Sequence, residues 1–205
     1  MGEYLERNTK RPMNKEKKKD LENSLLLYLH DLVCLLAGTL LVLLLLFRIV
    51  IVSGPSMNNT LIDGDYLLVL SNNLYKNPKY GDIIVASKKS FKNGEPIVKR
   101  VIATEGQEVD IDFEAGIVYV DKKPLEEDYT LTPTNRAEGV KFPVVVDEGC
   151  IFVMGDNRNI SKDSRDPEIG LIDEREVLGK AIFLIIPGTD GGIVPQDYSR
   201  IGVLS

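Results

Sequence analysis

Histidine is almost missing from this chain of 205 residues: His30 is the single one, and cysteine occurs only at Cys34 and Cys150. One imidazole restricts mechanism severely, because a histidine-based triad or a multi-histidine metal site has to use His30 or be abandoned. Two cysteines cannot build a disulfide framework, and no Cys-x-x-Cys spacing exists, which excludes a stapled secreted scaffold and a structural zinc site. No metal and no cofactor are therefore expected. A net positive balance is confined to one place. Arg7, Lys10, Arg11, Lys15, Lys17, Lys18 and Lys19 face only four anions within residues 1–20, although the whole chain carries −6. The remainder is acidic, which argues against nucleic-acid binding, whose footprint is a basic face tracking phosphates.

A long apolar run comes directly after the basic stretch. Leu32 to Phe47 carry no charge, Arg48 interrupts once, and Ile49 to Val52 continue the apolar character. Read as one helix, residues 32–52 extend about 31 Å at about 1.5 Å per residue, enough to cross the hydrocarbon core of a bilayer. Arg48 lies near one end, where its head reaches the interface. A cleavable secretory signal has a shorter apolar core and a small-x-small exit, whereas this run leaves through Phe47-Arg48-Ile49-Val50-Ile51-Val52. The expected organisation is a cytoplasmic basic tail over 1–23, a transmembrane anchor over 24–52 and an extracytoplasmic domain over 53–205. His30 then falls on the cytoplasmic edge of the anchor, and the outer domain has no imidazole at all.

Beyond residue 52 the pattern changes to short strands divided by turn residues. Expected strands are Tyr66–Leu70, Ile83–Ser87, Ile97–Thr104, Ile117–Val120, Val144–Val146, Cys150–Met154 and Lys180–Ile186, with one helical turn at Asp173–Leu178. Val109–Val120 reads as a hairpin inside an insertion over about 106–147, and Leu131–Lys141 as a polar loop. The fold class is a mainly β external domain with one N-terminal transmembrane helix.

Three polar clusters interrupt this framework. In Ser53-Gly54-Pro55-Ser56-Met57-Asn58-Asn59-Thr60-Leu61 a Gly-Pro turn lets the backbone near Ser56 approach a bound chain, and free amides there can stabilise an oxyanion. Ser56 is thus a candidate nucleophile, although in isolation it also reads as a plain turn residue. Without histidine, an uncharged lysine is what activates a serine. In Ile97-Val98-Lys99-Arg100-Val101-Ile102-Ala103, strand alternation puts Lys99 on one face with Ile97, Val101 and Ala103. Burial of that face lowers the lysine pKa toward the range of a general base, whereas an exposed face leaves the amine in solvent. The third cluster, Gly155 to Asp166, comes after an apolar strand and is dense in donors and acceptors, with Asp163 placed to pair with Arg165. Arg158 and Lys162 among the would-be ligands exclude a calcium loop.

Together these segments resemble the type I signal peptidases, membrane-anchored Ser–Lys proteases that remove signal peptides from exported proteins. Ser53–Leu61 is similar to the family's nucleophile segment, Gly81-Asp82-Ile83-Ile84-Val85 to its Gly-Asp-hydrophobic strand, Lys99-Arg100-Val101-Ile102 to its Lys-Arg strand, and Gly155–Arg165 to its Gly-Asp-Asn loop. The resemblance implies Ser56 as nucleophile and Lys99 as general base, with Ser161 orienting the lysine and Asp156, Asp163 and Arg165 bracing the site. Asn59 stands where the family usually has proline, and Gly54 where some members place a hydroxyl that helps hold the oxyanion. Val52, Met57 and Ile84 are expected to wall the substrate pockets, which the resemblance makes shallow and suited to small residues. The expected partners are signal-peptide-bearing preproteins and membrane lipid, and the enzyme is expected to act as a monomer. Two rival readings are a silent membrane-anchored binding protein of the same fold and a self-cleaving SOS-repressor-type protease, which would need a soluble DNA-binding domain.

Overall fold

A computed structural model describes residues 15–204. Arg7, Lys10 and Arg11 of the expected basic tail lie outside the described residues. Helix α1, Lys15–Leu46, is rich in leucine, a strong helix former. Its side chains from Lys18 to Leu45 are all exposed, and Lys18–Leu46 is long and apolar enough to cross a membrane.

The helix stops short of the expected limit at Val52. Strand β1, Phe47–Ile51, takes over at once. The reason is local composition: after a leucine-rich stretch come an aromatic and three β-branched residues, which favour the extended backbone. Contacts likewise divide the chain into two compact units between Leu44 and Leu45, so β1 belongs to the sheet-bearing unit.

That unit continues through β2 (Tyr66–Ser71), β3 (Ile83–Ser87), β4 (Pro96–Thr104), β5 (Glu108–Asp112), β6 (Ile117–Val120), β7 (Lys123–Pro124), β8 (Val144–Val145), β9 (Cys150–Met154), β10 (Ile172–Asp173), β11 (Val177–Ile186) and β12 (Gly202–Val203). Every pairing is antiparallel. The larger sheet runs β1-β2-β11-β3-β4-β9-β10, with β12 also on β11, and the smaller runs β7-β6-β5-β8. The expected helical turn is the 3₁₀ turn Glu174–Glu176, closed at its start by a capping box between Asp173 and Glu176.

Alternation along β3 divides the core. Ile83 and Val85 join a cluster with Val52, Met57, Leu61, Leu67 and Val69, whereas Ile84 and Ala86 join one with Phe91, Val101, Ile151 and Val153. In β4 the alternation holds as far as Val101. A register shift between Val101 and Ala103 against β9 then puts Ile102 and Ala103 together in a third cluster, under the smaller sheet. Ala103 is therefore not on the Lys99 face, contrary to simple alternation.

Candidate active site

Ser56 sits on a loop that is pinched at its base. The Val52 amide donates to the Asp65 carbonyl at 2.9 Å and the Gly64 amide to the Val52 carbonyl at 3.0 Å. Gly54 adopts φ +83°, a left-handed conformation that glycine enters without a steric penalty, and donates its amide to Asp63 Oδ1 at 2.7 Å. That amide is thereby committed to the loop. Beyond the nucleophile position, Asn58 donates to the Pro55 carbonyl and Leu61 to the Met57 carbonyl. Met57 and Leu61 are wholly buried and anchor the loop on the sheet.

Lys99 is 4% exposed, and its Nζ stands 2.8 Å from Ser56 Oγ and 2.9 Å from the Val98 carbonyl. Its cross-strand partner is Ile84, so the two side chains share a face, and Ile84, Val101 and Ile97 belong to one apolar cluster around that face. Burial disfavours the ammonium and brings the lysine down to about 8; the negative charges of Asp163 and Asp156 oppose the fall, and Lys92 and Arg165 assist it.

The Gly155–Asp166 segment closes the site from the other side. Arg165 grips Asp163 through Nε and Nη2, both at 2.8 Å, with both side chains fully buried, and Asp163 Oδ2 also accepts the Gly155 amide at 3.0 Å. Asp156 accepts Arg100 Nε and Nη2 at 2.9 and 2.8 Å and the Thr60 hydroxyl at 2.5 Å. It thus ties the lysine strand to the serine loop. Burial works against the Arg100 charge, and the Asp156 hydrogen bonds and charge outweigh it and hold the guanidinium charged. The Asn157 amide and side chain donate to the Ser56 and Pro55 carbonyls, both at 3.1 Å. Gly155 is required by packing: a Cβ there would lie 2.3 Å from Ser161 Oγ and 2.4 Å from the Ser56 carbonyl oxygen. Ser161 is buried beside this contact, but its hydroxyl makes no hydrogen bond to Lys99 or to any other described group.

A groove of about 440 Å³ opens over the pair, lined by Val50, Val52, Ser56, Ile97, Lys99 and Lys162 among others. Its walls are two sheet edges. Among the described residues β1 pairs only with β2, and the 96–99 half of β4 pairs only with β3. Val52 lines the groove as expected. Met57 and Ile84 do not: Met57 is buried where it anchors the loop on the sheet and Ile84 is buried by the alternation of β3, each 0% exposed, so Ile84 contributes to drying Lys99 instead of walling the groove.

Arg100, Thr60 and Asn157 are site residues that the sequence motifs left without a role. An arginine beside the lysine on the strand and a Gly-Asp-Asn run after β9 were visible in the sequence, but the pairing of Arg100 with Asp156 spans 56 residues and has no local mark. Asp82 belongs elsewhere, between the Tyr75 hydroxyl at 2.6 Å and Lys180 at 2.5 Å.

The sheet-bearing unit contains no histidine, and a serine hydroxyl at 2.8 Å from a buried lysine amine is the geometry of the serine–lysine hydrolases. A family model described as signal peptidase, peptidase S26, matches residues 25–186. The Signal peptidase I of Bacillus licheniformis is 36% identical over 183 residues, covering 85% of this chain and 96% of that one. The Probable signal peptidase I-1 of Synechocystis sp. is 37% identical over 165 residues, covering 74% and 80%. A solved signal peptidase I from Enterococcus faecalis V583 aligns at 30% identity with a TM-score of 0.42, over 51% of this chain and 97% of that one. The chain belongs to the signal peptidase family S26, as a serine endopeptidase of the type I class.

Proposed function

We propose that this enzyme removes N-terminal signal peptides from exported preproteins at the outer face of a cell membrane, with Ser56 as nucleophile and Lys99 as general base. The observation that carries the reading is the 2.8 Å contact between the Ser56 hydroxyl and the buried Lys99 amine. Neutral Lys99 takes the hydroxyl proton as Ser56 Oγ attacks the scissile carbonyl, and then returns it to the departing amine. Water, deprotonated by the same amine, hydrolyses the acyl-enzyme. The Ser56 amide is the proposed oxyanion donor. Asp163 and Arg165 brace the loop beneath, and Ser161 helps fill the space around Gly155, beside the Ser56 carbonyl.

The two sheet edges that flank the groove support an extended substrate, whose backbone would pair with 50–53 on one side and 96–99 on the other. Side chains of such a strand point alternately into the groove, so two positions spaced by one residue determine recognition. The basic residues ahead of the apolar run support an N-terminus on the cytoplasmic side, a single-pass anchor within α1 and an outer catalytic domain that takes in β1 as well as the expected 53–205. Membrane lipid is the medium proposed for the exposed apolar helix, and the chain is proposed to work as a monomer.

The test is cleavage of a preprotein by the detergent-solubilised full chain. Ser56→Ala and Lys99→Ala are each expected to lower kcat by about 10³-fold or more while the protein stays folded by circular dichroism. Normal cleavage by either variant would overturn the assignment of that residue.

A further inference from the structure

The span matched by the family model ends at residue 186, yet the chain then turns back and packs on the loop that carries Ser56. Gly188 lies flush against it: a Cβ there would sit 2.2 Å from the Asp63 carbonyl oxygen and 2.6 Å from the Asp65 amide. The Asp190 amide donates to the same Asp63 carbonyl at 3.1 Å. Asp197 caps a short 3₁₀ turn, Tyr198–Arg200, by accepting the Ser199 amide. β12 and Leu204 then fasten the segment to β11 and to the cluster that holds Val52, Met57 and Leu61.

This path delivers Arg200 to the base of the loop. Its Nη1 donates to Asp65 Oδ1 at 3.0 Å, and its Nη2 donates to Asp65 Oδ2 at 2.7 Å and to the Thr60 carbonyl at 3.2 Å. Asp65 is wholly buried and also accepts the Ile62 amide at 2.8 Å and the Gly188 amide at 2.7 Å. The limb from Thr60 to Ile62 is therefore held on one side by Asp156, through the Thr60 hydroxyl, and on the other by Arg200. The opposite limb carries Ser56, whose carbonyl is held by Asn157.

We propose that Arg200 is a positioning residue for the nucleophile: by clamping Asp65 and the Thr60 carbonyl it sets the loop so that the Ser56 hydroxyl rests against the Lys99 amine. The proposal rests on the reading of Ser56 as nucleophile. Arg200 touches no reacting atom and acts through the loop. Its planar fork fits the carboxylate with two parallel bonds while a further donor reaches the carbonyl, a geometry that a lysine cannot reproduce.

The experiment compares full-length wild type, Arg200→Ala and Arg200→Lys in detergent, with kcat and KM measured separately on a preprotein at a temperature where circular dichroism shows each variant folded. Arg200→Ala is expected to lower kcat about tenfold or more with KM within about twofold, since displacement of a reacting group by about 1 Å is enough to cost that much. Free guanidinium at a non-denaturing concentration is expected to restore part of the kcat of the alanine variant and to leave wild type unchanged. A folded alanine variant with wild-type kcat, a loss confined to KM, or a loss that guanidinium does not relieve would overturn the proposal. If Arg200→Ala does not fold, Arg200→Lys decides: a several-fold fall in kcat supports the positioning role, and an unchanged kcat refutes it. Ser56→Ala is measured alongside, because activity surviving in that variant removes the nucleophile reading itself and not merely the role of Arg200.

Discussion

A lysine held in an apolar cluster acts on stability and on catalysis through the same proton. With Lys99 brought down to about 8 in the folded chain, from 10.5 when free, the unfolded state binds more protons between those two values. Folding stability therefore rises with pH across that window, and below about pH 8 the whole cost of burying an ammonium is present. Replacing Lys99 by Met removes that cost. The variant is expected to be more stable than wild type by about 3 kcal/mol near pH 6, an advantage that fades toward pH 10.5, as read from unfolding midpoints at several pH values. In the proposed mechanism catalysis depends on the neutral form, so kcat/KM on a preprotein should climb with pH, pass half its plateau near pH 8 and level off above about pH 9. A limb at the unperturbed lysine value would contradict the burial argument. The same residue thus destabilises the fold where it is charged, and in the proposed mechanism it works only where it is neutral.

At the scale of elements, β4 does two jobs in its two halves. Its first half, 96–99, leaves one edge free for a bound strand and carries Lys99, while its second half, 100–104, is paired on β9. Asp156 begins the loop after β9 and joins these parts, since it binds Arg100 of β4 and Thr60 of the serine loop. Tyr129, from the segment after β7, covers the Arg100 guanidinium with its ring, 4.0 Å from centroid to carbon, so the smaller sheet's connection is drawn into the same knot. Removing the carboxylate leaves a buried guanidinium without its main partner. Asp156→Ala is therefore expected to destabilise the chain by about 3–5 kcal/mol and to lower kcat as the serine loop loosens, both measurable on the detergent-solubilised protein. A variant with unchanged unfolding midpoint would show that Arg100 is held by its other contacts, including the Gly81 carbonyl at 2.9 Å.

For the whole molecule, the decisive boundary lies at the junction of helix and sheet. Reading residues 32–52 as one helix put the folded domain after Val52, whereas β1 makes Phe47–Ile51 an edge strand of the main sheet and a wall of the groove. Two shortened chains separate these boundaries. A chain beginning at Leu45 is expected to keep cleavage in detergent, while one beginning at Ser53 loses the β1–β2 ladder and the Val50–Val52 wall, and its kcat/KM should fall about tenfold or more. Equal activity of the two would place the substrate strand elsewhere. The net charge of −6 sums an acidic sheet-bearing unit and a basic N-terminal stretch, an asymmetry that supports the proposed cytoplasmic N-terminus.

Local pattern by itself determined a good deal of this protein. Alternation and turn residues marked Ile83–Ser87, Ile117–Val120 and Cys150–Met154 at their observed bounds, the Gly-Pro turn marked the serine, and apolar neighbours marked the lysine that burial would neutralise. These features come from period and propensity, which act over a few residues. Of the two-residue strands only β8 was foreseen, within the expected Val144–Val146; β7, β10 and β12 were not legible because two residues have no period. The 2.8 Å contact of Ser56 with Lys99, the bulge that turns Ala103 off the lysine face and the clamp of Arg200 on Asp65, 135 residues apart, were decided by tertiary structure alone. Each depends on which strand edges pair and how loops close over them, and a free energy spread over many distant contacts leaves no mark on any one stretch of chain.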